Sequence, residues 1–217
     1  MPLYTTEALV LRTYKLAEAD RIVVFLTRDR GKKRGVAPHA RRTRSRFTGA
    51  LEPLTEIRVA YFEHERRELV SLNYAEAVRS PLGSGSAEAL VCSHYFAELI
   101  DAWAADADPD ERLFRLGCAA LDALATGVPA DALARYFECW LLRLQGVYPA
   151  DLSLSPGAVA FVEATRQVPP AAVGALDTAP RVLRELERTH QSVIAAHLEK
   201  ELKSIRVMHE LRRLPQQ

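Results

Sequence analysis

Arg21 to Phe47 reads RIVVFLTRDRGKKRGVAPHARRTRSRF, and the way this stretch divides decides the fold. Its opening, Arg21 to Thr27, is a run of Val, Ile, Leu and Phe suited to a pleated, partly buried surface. Lys32 to Ala37 makes a second short strand. From Arg28 to Phe47 there are nine Lys/Arg against one acid, and almost no side chain there could belong to a core. A strand pair running into so cationic a segment reads as a small β-unit that presents charge to a polyanion.

Working outward, Glu7 to Thr13 (EALVLRT) supplies a strand before this stretch, with acid and turn residues at Glu18 to Asp20 between them. Beyond it, Pro53 to Tyr61 places Thr55, Ile57, Val59 and Tyr61 on one face and Leu54, Glu56 and Arg58 on the other, the period of a half-buried strand. Leu69 to Ala75 alternates likewise, with Val70, Leu72 and Tyr74 opposite Ser71 and Asn73. About five short strands thus fall within roughly 75 residues, the size of a small closed barrel.

The chain then changes character. Arg79 to Ser86 (RSPLGSGS) has turn chemistry and no periodicity, and reads as a linker. Helical periodicity follows: Leu113, Leu116, Ala120, Leu121 and Leu124 form one apolar stripe, and Leu133, Tyr136, Phe137, Trp140, Leu141 and Leu144 a stronger one. Pro109 and Pro129 suit helix starts, Gly127 and Gly146 suit stops, and Ser155-Pro156 is an N-cap followed by proline. Arg181 to Leu214 is the longest helical run. The expected fold is α+β: a five-stranded barrel over 1–79, a linker over 80–86 and a helical bundle over 87–217.

Charge is distributed unevenly. Net charges are +6 over residues 1–80, −8 over 81–180 and +3 over 181–217, within an overall +1. An acidic middle repels a phosphate backbone, so binding is expected at the N-terminal part, with help from the last helix. At 217 residues and 48% hydrophobic, the chain can bury one large or two small cores. It has no apolar run near the ~20 residues of a membrane span and no signal-peptide pattern at its start. Cys92, Cys118 and Cys139, odd in number and widely spaced, suit a reducing compartment, so a cytoplasmic location is expected.

Among candidate sites, the basic segment ranks first. Arg41, Arg42, Arg44 and Arg46 with Phe47 favour phosphate and base contacts, because guanidinium forks suit both. The bland alternative is a solvated loop that only aids solubility. Seven of the sixteen aromatics lie in the first 80 residues: Tyr4, Tyr14, Phe25, Phe47, Tyr61, Phe62 and Tyr74. Most should fill the barrel, and Phe47, flanked by arginines, is the expected base-stacking ring. Cys92 and His94 sit two apart on a predicted helix and diverge by about 200°, so they cannot close on one metal ion. They read as a buried thiol and a surface histidine, and Cys118 and Cys139 as core. Gly83 and Gly85 do not make a phosphate loop. His190 and His197 read as surface residues. No nucleophile, base and orienter set is present, so no enzyme, cofactor or small-molecule substrate is expected.

In order and spacing, these segments resemble the RecO family of DNA repair and recombination proteins. The resemblance rests on EALVLRTY, DRIVVFLT, GKKRGVA, ARRTRSRF, LEPLTEIRV and NYAEAV over residues 1–79. It continues at RYFECWLLRLQG (135–146), LSPGA (154–158) and LKSIRVMHEL (202–211). It implies an N-terminal OB-fold barrel binding single- and double-stranded DNA, and a helical C-terminal domain. It implies strand annealing and a place in the RecFOR pathway of DNA-damage repair, with RecR and the C-terminal tail of single-strand-binding protein as partners in loading RecA. Location at the bacterial nucleoid when DNA-bound follows. Carried over by residue, the DNA contacts are Lys32, Lys33, Arg34, Arg41, Arg42, Arg44 and Arg46. Arg135 is the implied contact for the acidic, apolar tail. Many members carry a four-cysteine zinc module where VYPADLS (147–153) stands here, so no structural zinc is expected. Two other readings compete: an RNA-binding OB-fold protein with a helical interaction domain, and a duplex-reading helix in the C-terminal half, which the −8 segment opposes.

Overall fold

The computed structural model describes residues 1–64, 67–198 and 202–213. Five strands, β1 (Leu3–Leu16), β2 (Asp20–Thr27), β3 (Gly31–Ala37), β4 (Glu56–Phe62) and β5 (Val70–Arg79), close into a barrel in the order β1-β2-β3-β5-β4. The expected strands are all present, and the first extends well beyond Glu7 to Thr13 at both ends. Its length has a function. The first half of β1 pairs with β4 (Leu3 opposite Phe62) and the second half with β2 (Leu16 opposite Asp20), and a bulge between Val10 and Arg12 turns the strand from one partner to the other. β3 meets β5 in parallel through Gly35 and Val36. A Cβ on Gly35 would lie 2.2 Å from Leu72 Cδ1 and 2.7 Å from Val70 Cγ2, so a larger residue there would push two core side chains aside where the strands close the barrel.

Ala8, Val10, Val23, Phe25, Ile57, Val59, Tyr61, Val70 and Leu72 fill the barrel. The opposite face is not simply solvated, as alternation alone would suggest. Leu9, Leu11, Val24, Leu26 and Leu54 point outward into the core of the helical half. That half comprises α1 (Ala87–Trp103), α2 (Glu111–Ala125), α3 (Ala130–Leu144), α4 (Pro156–Ala164), α5 (Pro180–Leu198) and α6 (Lys203–Arg213). The caps are local and readable: Ser86, Asp110 and Ser155 accept from Ala89, Leu113 and Ala158 backbone N–H groups. Pro109 stands one step before its cap, and Pro129 takes the cap position of α3. Gly127 and Gly146 adopt φ of 79° and 69° just after their helices. The run expected over Arg181 to Leu214 is divided between α5 and α6, and its residues 199–201 and 214 lie outside the described residues. Residues 81–84 of the expected linker form a 3-10 turn against α1 and α2.

The junction between barrel and helices is tight and charged. On α2, a Cβ at Gly117 would stand 2.5 Å from Leu9 Cδ1, which measures how closely the helix approaches β1. Arg12 pairs with Asp101 at 2.8 Å, Lys32 with Asp101 at 3.5 Å and Arg28 with Glu111 at 3.0 Å. Arg79 bridges Glu56 and Asp122. The acidic middle of the chain therefore spends part of its charge neutralising the barrel's own cations.

Candidate nucleic-acid interface

Residues directly opposed in an antiparallel sheet point to the same side. The registers of β1, β2 and β3 therefore lay Arg12, Val24 and Arg34 in one outward row and Tyr14, Ile22 and Val36 in the next. Helix α1 covers the near part of this face, where Val24 is buried. Beyond it Arg34 is exposed, Ile22 and Val36 are half-buried, and Tyr14 keeps 46% of its surface in solvent. Arg12 donates to the Tyr14 hydroxyl at 3.1 Å, with its guanidinium carbon 6.0 Å from the ring centroid, so the ring has a fixed neighbour.

The connection from β3 to β4 brings the arginine segment to the same end. Arg41 N–H donates to Ala19 O at 2.9 Å, and its guanidinium to Ala17 O and Glu18 O at 3.1 and 2.8 Å, tying the segment to the β1–β2 turn. His39 N–H donates to Asp20 at 2.7 Å. Consecutive turns, Arg42 N to His39 O and Ser45 N to Arg42 O, both 3.1 Å, then carry the chain over the barrel end. Arg34, Arg42, Arg44 and Arg46 are exposed, and none has a carboxylate within 4.0 Å among the described residues. The result is a rim of four guanidiniums with no carboxylate partner among the described residues, Arg46 lying 5.1 Å from the Phe47 centroid, beside an exposed ring, suited to phosphates and to a stacked base.

Not every expected contact belongs to this rim. Lys32 faces α1, where its ammonium donates to Asp101 O at 2.9 Å and holds the junction. Lys33 points to the inner side of the barrel mouth and pairs with Glu63 at 2.8 Å, with 14% of its side chain exposed. Phe47 is 2% exposed: with Ala50 and Leu51 it closes the barrel, because the turns that lift its arginine neighbours outward drive the ring inward. It cannot stack on a base without unplugging the core. Tyr14 is the exposed ring instead, and the outward row containing Arg12 depends on a bulge that alternation does not reveal.

Arg135 also lies away from any binding surface, inside the bundle. It is 1% exposed, and its Nη2 donates to Glu138 Oε1 at 2.7 Å, the same oxygen that accepts from the Tyr95 hydroxyl at 2.6 Å. Glu138 Oε2 lies 3.0 Å from His190 Nδ1, and Glu187 lies 3.6 Å from Arg135 Nη1. His190 is thus fully buried, not a surface residue. Desolvation, reinforced by Glu138, holds the Tyr95 phenol well above its ordinary range. This polar network joins α1, α3 and α5 inside the bundle and offers no surface to a peptide. His197 is exposed and stacks on Trp103 with centroids 5.8 Å apart. Cys92 is buried and His94 exposed, and burial pushes the Cys118 and Cys139 thiols up to about 12, which leaves neither a nucleophile at neutral pH. Among the described residues, no group of three His, Cys, Asp or Glu could hold a metal ion, and no helix is long and apolar enough to cross a membrane.

Comparison with known proteins accords with this architecture. The family model Recombination protein O N terminal matches residues 1–81, and Recombination protein O C terminal matches residues 85–151. The DNA repair protein RecO of Bifidobacterium longum subsp. infantis is 35% identical over 96% of this chain and 99% of its own length. That of Geobacter metallireducens is 32% identical over 95% and 97%. The Koribacter versatilis protein of the same name is 43% identical over 66% of this chain, and there the match spans 59% of the relative's length, a little under two thirds. With matched regions over both the barrel and the helices that follow it, the chain belongs to the RecO family.

Proposed function

We propose that this chain is a non-enzymatic DNA repair and recombination mediator that binds single- and double-stranded DNA and anneals complementary strands. The observation that carries the reading is the rim itself: Arg34, Arg42, Arg44 and Arg46 without acidic partners among the described residues, beside the exposed Tyr14. They lie along β1, β2, β3 and the β1–β2 turn, the region through which OB barrels take up oligonucleotides. Guanidiniums on a rigid barrel neutralise two backbones at once and lower the repulsion between complementary strands, while base pairing supplies the specificity. No hydrolysis is required. The names of the relatives support a repair role. Cooperation with RecR and with the tail of single-strand-binding protein, to load RecA on covered DNA, extends the same proposal. It is placed in the cytoplasm and at the nucleoid when DNA-bound. The tail contact is not assigned to the buried Arg135.

The test is annealing of complementary oligonucleotides without nucleotide, comparing the unaltered chain with Arg42→Glu/Arg44→Glu/Arg46→Glu. Arg41 is left in place because it anchors the β1–β2 turn. The variant should keep its circular dichroism and lose annealing. Undiminished annealing by a folded variant refutes the proposal. Preference for RNA over single-stranded DNA of matched sequence would move the reading to an RNA-binding barrel.

A further inference from the structure

We infer that the cavity between β1, α1 and α6 is a pocket for a nucleobase of a bound single strand, so that the last helix shares in nucleic-acid binding. The inference rests on the function proposed above and deepens it. The cavity measures about 300 Å³, at the small end of ligand sites, and Leu11, Pro53 and Val91 form an apolar floor. Its rim carries Tyr14 and Val207, two of the few large apolar side chains left exposed, at 46% and 48%. Two exposed apolar groups converge on one cavity, with Arg12 and Lys203 beside them and His94, Glu98 and Ser204 as its polar lining, so apolar and cationic groups meet at one site. A nucleobase attached to its phosphate has that chemistry.

Three features favour a base over other occupants. Tyr14 belongs both to this rim and to the outward row with Ile22 and Val36, so the cavity continues the face on which the strand is placed. The ring is held by Arg12, which is in turn fixed by Asp101 at 2.8 Å, so it forms a positioned platform. The rim carboxylate Glu98 is already occupied: it accepts from Lys203 N–H at 3.0 Å, Ser204 N–H at 2.8 Å and the Ser204 hydroxyl at 2.5 Å. It caps the start of α6, whose N-terminal N–H groups and dipole partly offset its negative charge.

The experiment compares binding of the full chain to an oligothymidylate and to an abasic strand of equal length. Two variants are measured beside it: Tyr14→Ala, and Val207→Trp, which fills the cavity from an exposed position. Stacking of one base predicts a thymidylate preference of roughly 5- to 150-fold. Both variants should lose most of that preference, and Val207→Trp, outside the arginine rim, should bind the abasic strand as before. Val207→Trp retaining the full preference overturns the inference and leaves the proposed function standing, as does an unaltered chain that binds both strands equally. Failure of the unaltered chain to bind either strand in dilute buffer overturns the proposed function itself. If Val207→Trp instead abolishes binding of a short acidic peptide ending in an apolar residue and leaves the strand preference intact, the pocket is a peptide site and the inference falls.

Discussion

The salt dependence of single-strand binding should report how many of the nine cations between Arg28 and Phe47 are available to phosphate. Each phosphate neutralised on a single strand contributes about 0.7 to the slope of log affinity against log salt. If all nine acted, the slope would be about −6.3, and affinity would fall roughly 6,000-fold between 50 and 200 mM salt. In the structure Lys32 and Lys33 are paired, Arg28 binds Glu7 and Glu111, Arg30 lies over Tyr4 and 3.7 Å from Asp29, and Arg41 anchors a turn. Of the nine, Arg34, Arg42, Arg44 and Arg46 remain without a carboxylate partner among the described residues, and this segment then contributes a slope of about −2.8, a loss of about 50-fold over the same range. Arg42→Gln/Arg44→Gln should reduce the slope to about −1.4, a loss of about 7-fold, whereas Lys32→Gln should leave it unchanged. Fluorescence anisotropy of a labelled oligothymidylate at four or five salt concentrations measures each slope. A slope near −6, or one that Lys32→Gln lowers as much as an arginine replacement does, refutes the division of cations made here.

Other outcomes separate packing from binding. Phe47→Ala should cost about 3–5 kcal/mol of stability in urea unfolding, because the ring closes the barrel at 2% exposure, while the more exposed Tyr14→Ala should cost less than about 0.5 kcal/mol. Glu138→Ala leaves the buried Arg135 without its 2.7 Å partner and should destabilise the chain by about 3–5 kcal/mol in the same assay. Glu98 is partly desolvated, which raises its pKa, yet hydrogen bonds from Ser204 and Lys203 and the nearby Arg12 more than offset this and leave it below the usual carboxylate range. Its contribution is therefore present above about pH 4.3 and lost as the pH falls through the depressed folded value. Glu98→Gln should flatten the acid limb of a thermal-stability profile without changing its neutral plateau-to-alkaline shape.

The sequence made the fold legible because the barrel and the helices each obey one period over most of their length. Val59 and Tyr61 alternate with Arg58, and Leu133, Phe137 and Leu141 repeat helically, so both assignments rest on side-chain direction alone. The site was only partly legible. Counting charge by segment located the rim but could not separate Arg42 from Lys32, because partnership is decided by Asp101, which lies far along the chain. Phe47 misled for a related reason: neighbours in sequence suggest exposure, but successive turns send adjacent side chains to opposite sides. The bulge at Val10 and Arg12 was invisible to a strict period of two, and it is what turns both Arg12 and Tyr14 outward. His190 reads as a surface group because polar residues are usually exposed, and Arg135 is carried over from the resemblance without regard to burial. Here Glu138 supplies both with a buried partner.

Central to this account is one surface, the outer face of β1, β2 and β3 with the arginine loop above it. Amide hydrogen exchange of the full chain, with and without saturating oligothymidylate at low salt, tests that placement directly. Slower exchange should appear at residues 12–22 and 34–46, while α3 and α4, which contribute no residue to that face, remain unchanged. Unaltered exchange in both segments, with protection concentrated on α3 and α4, would contradict it.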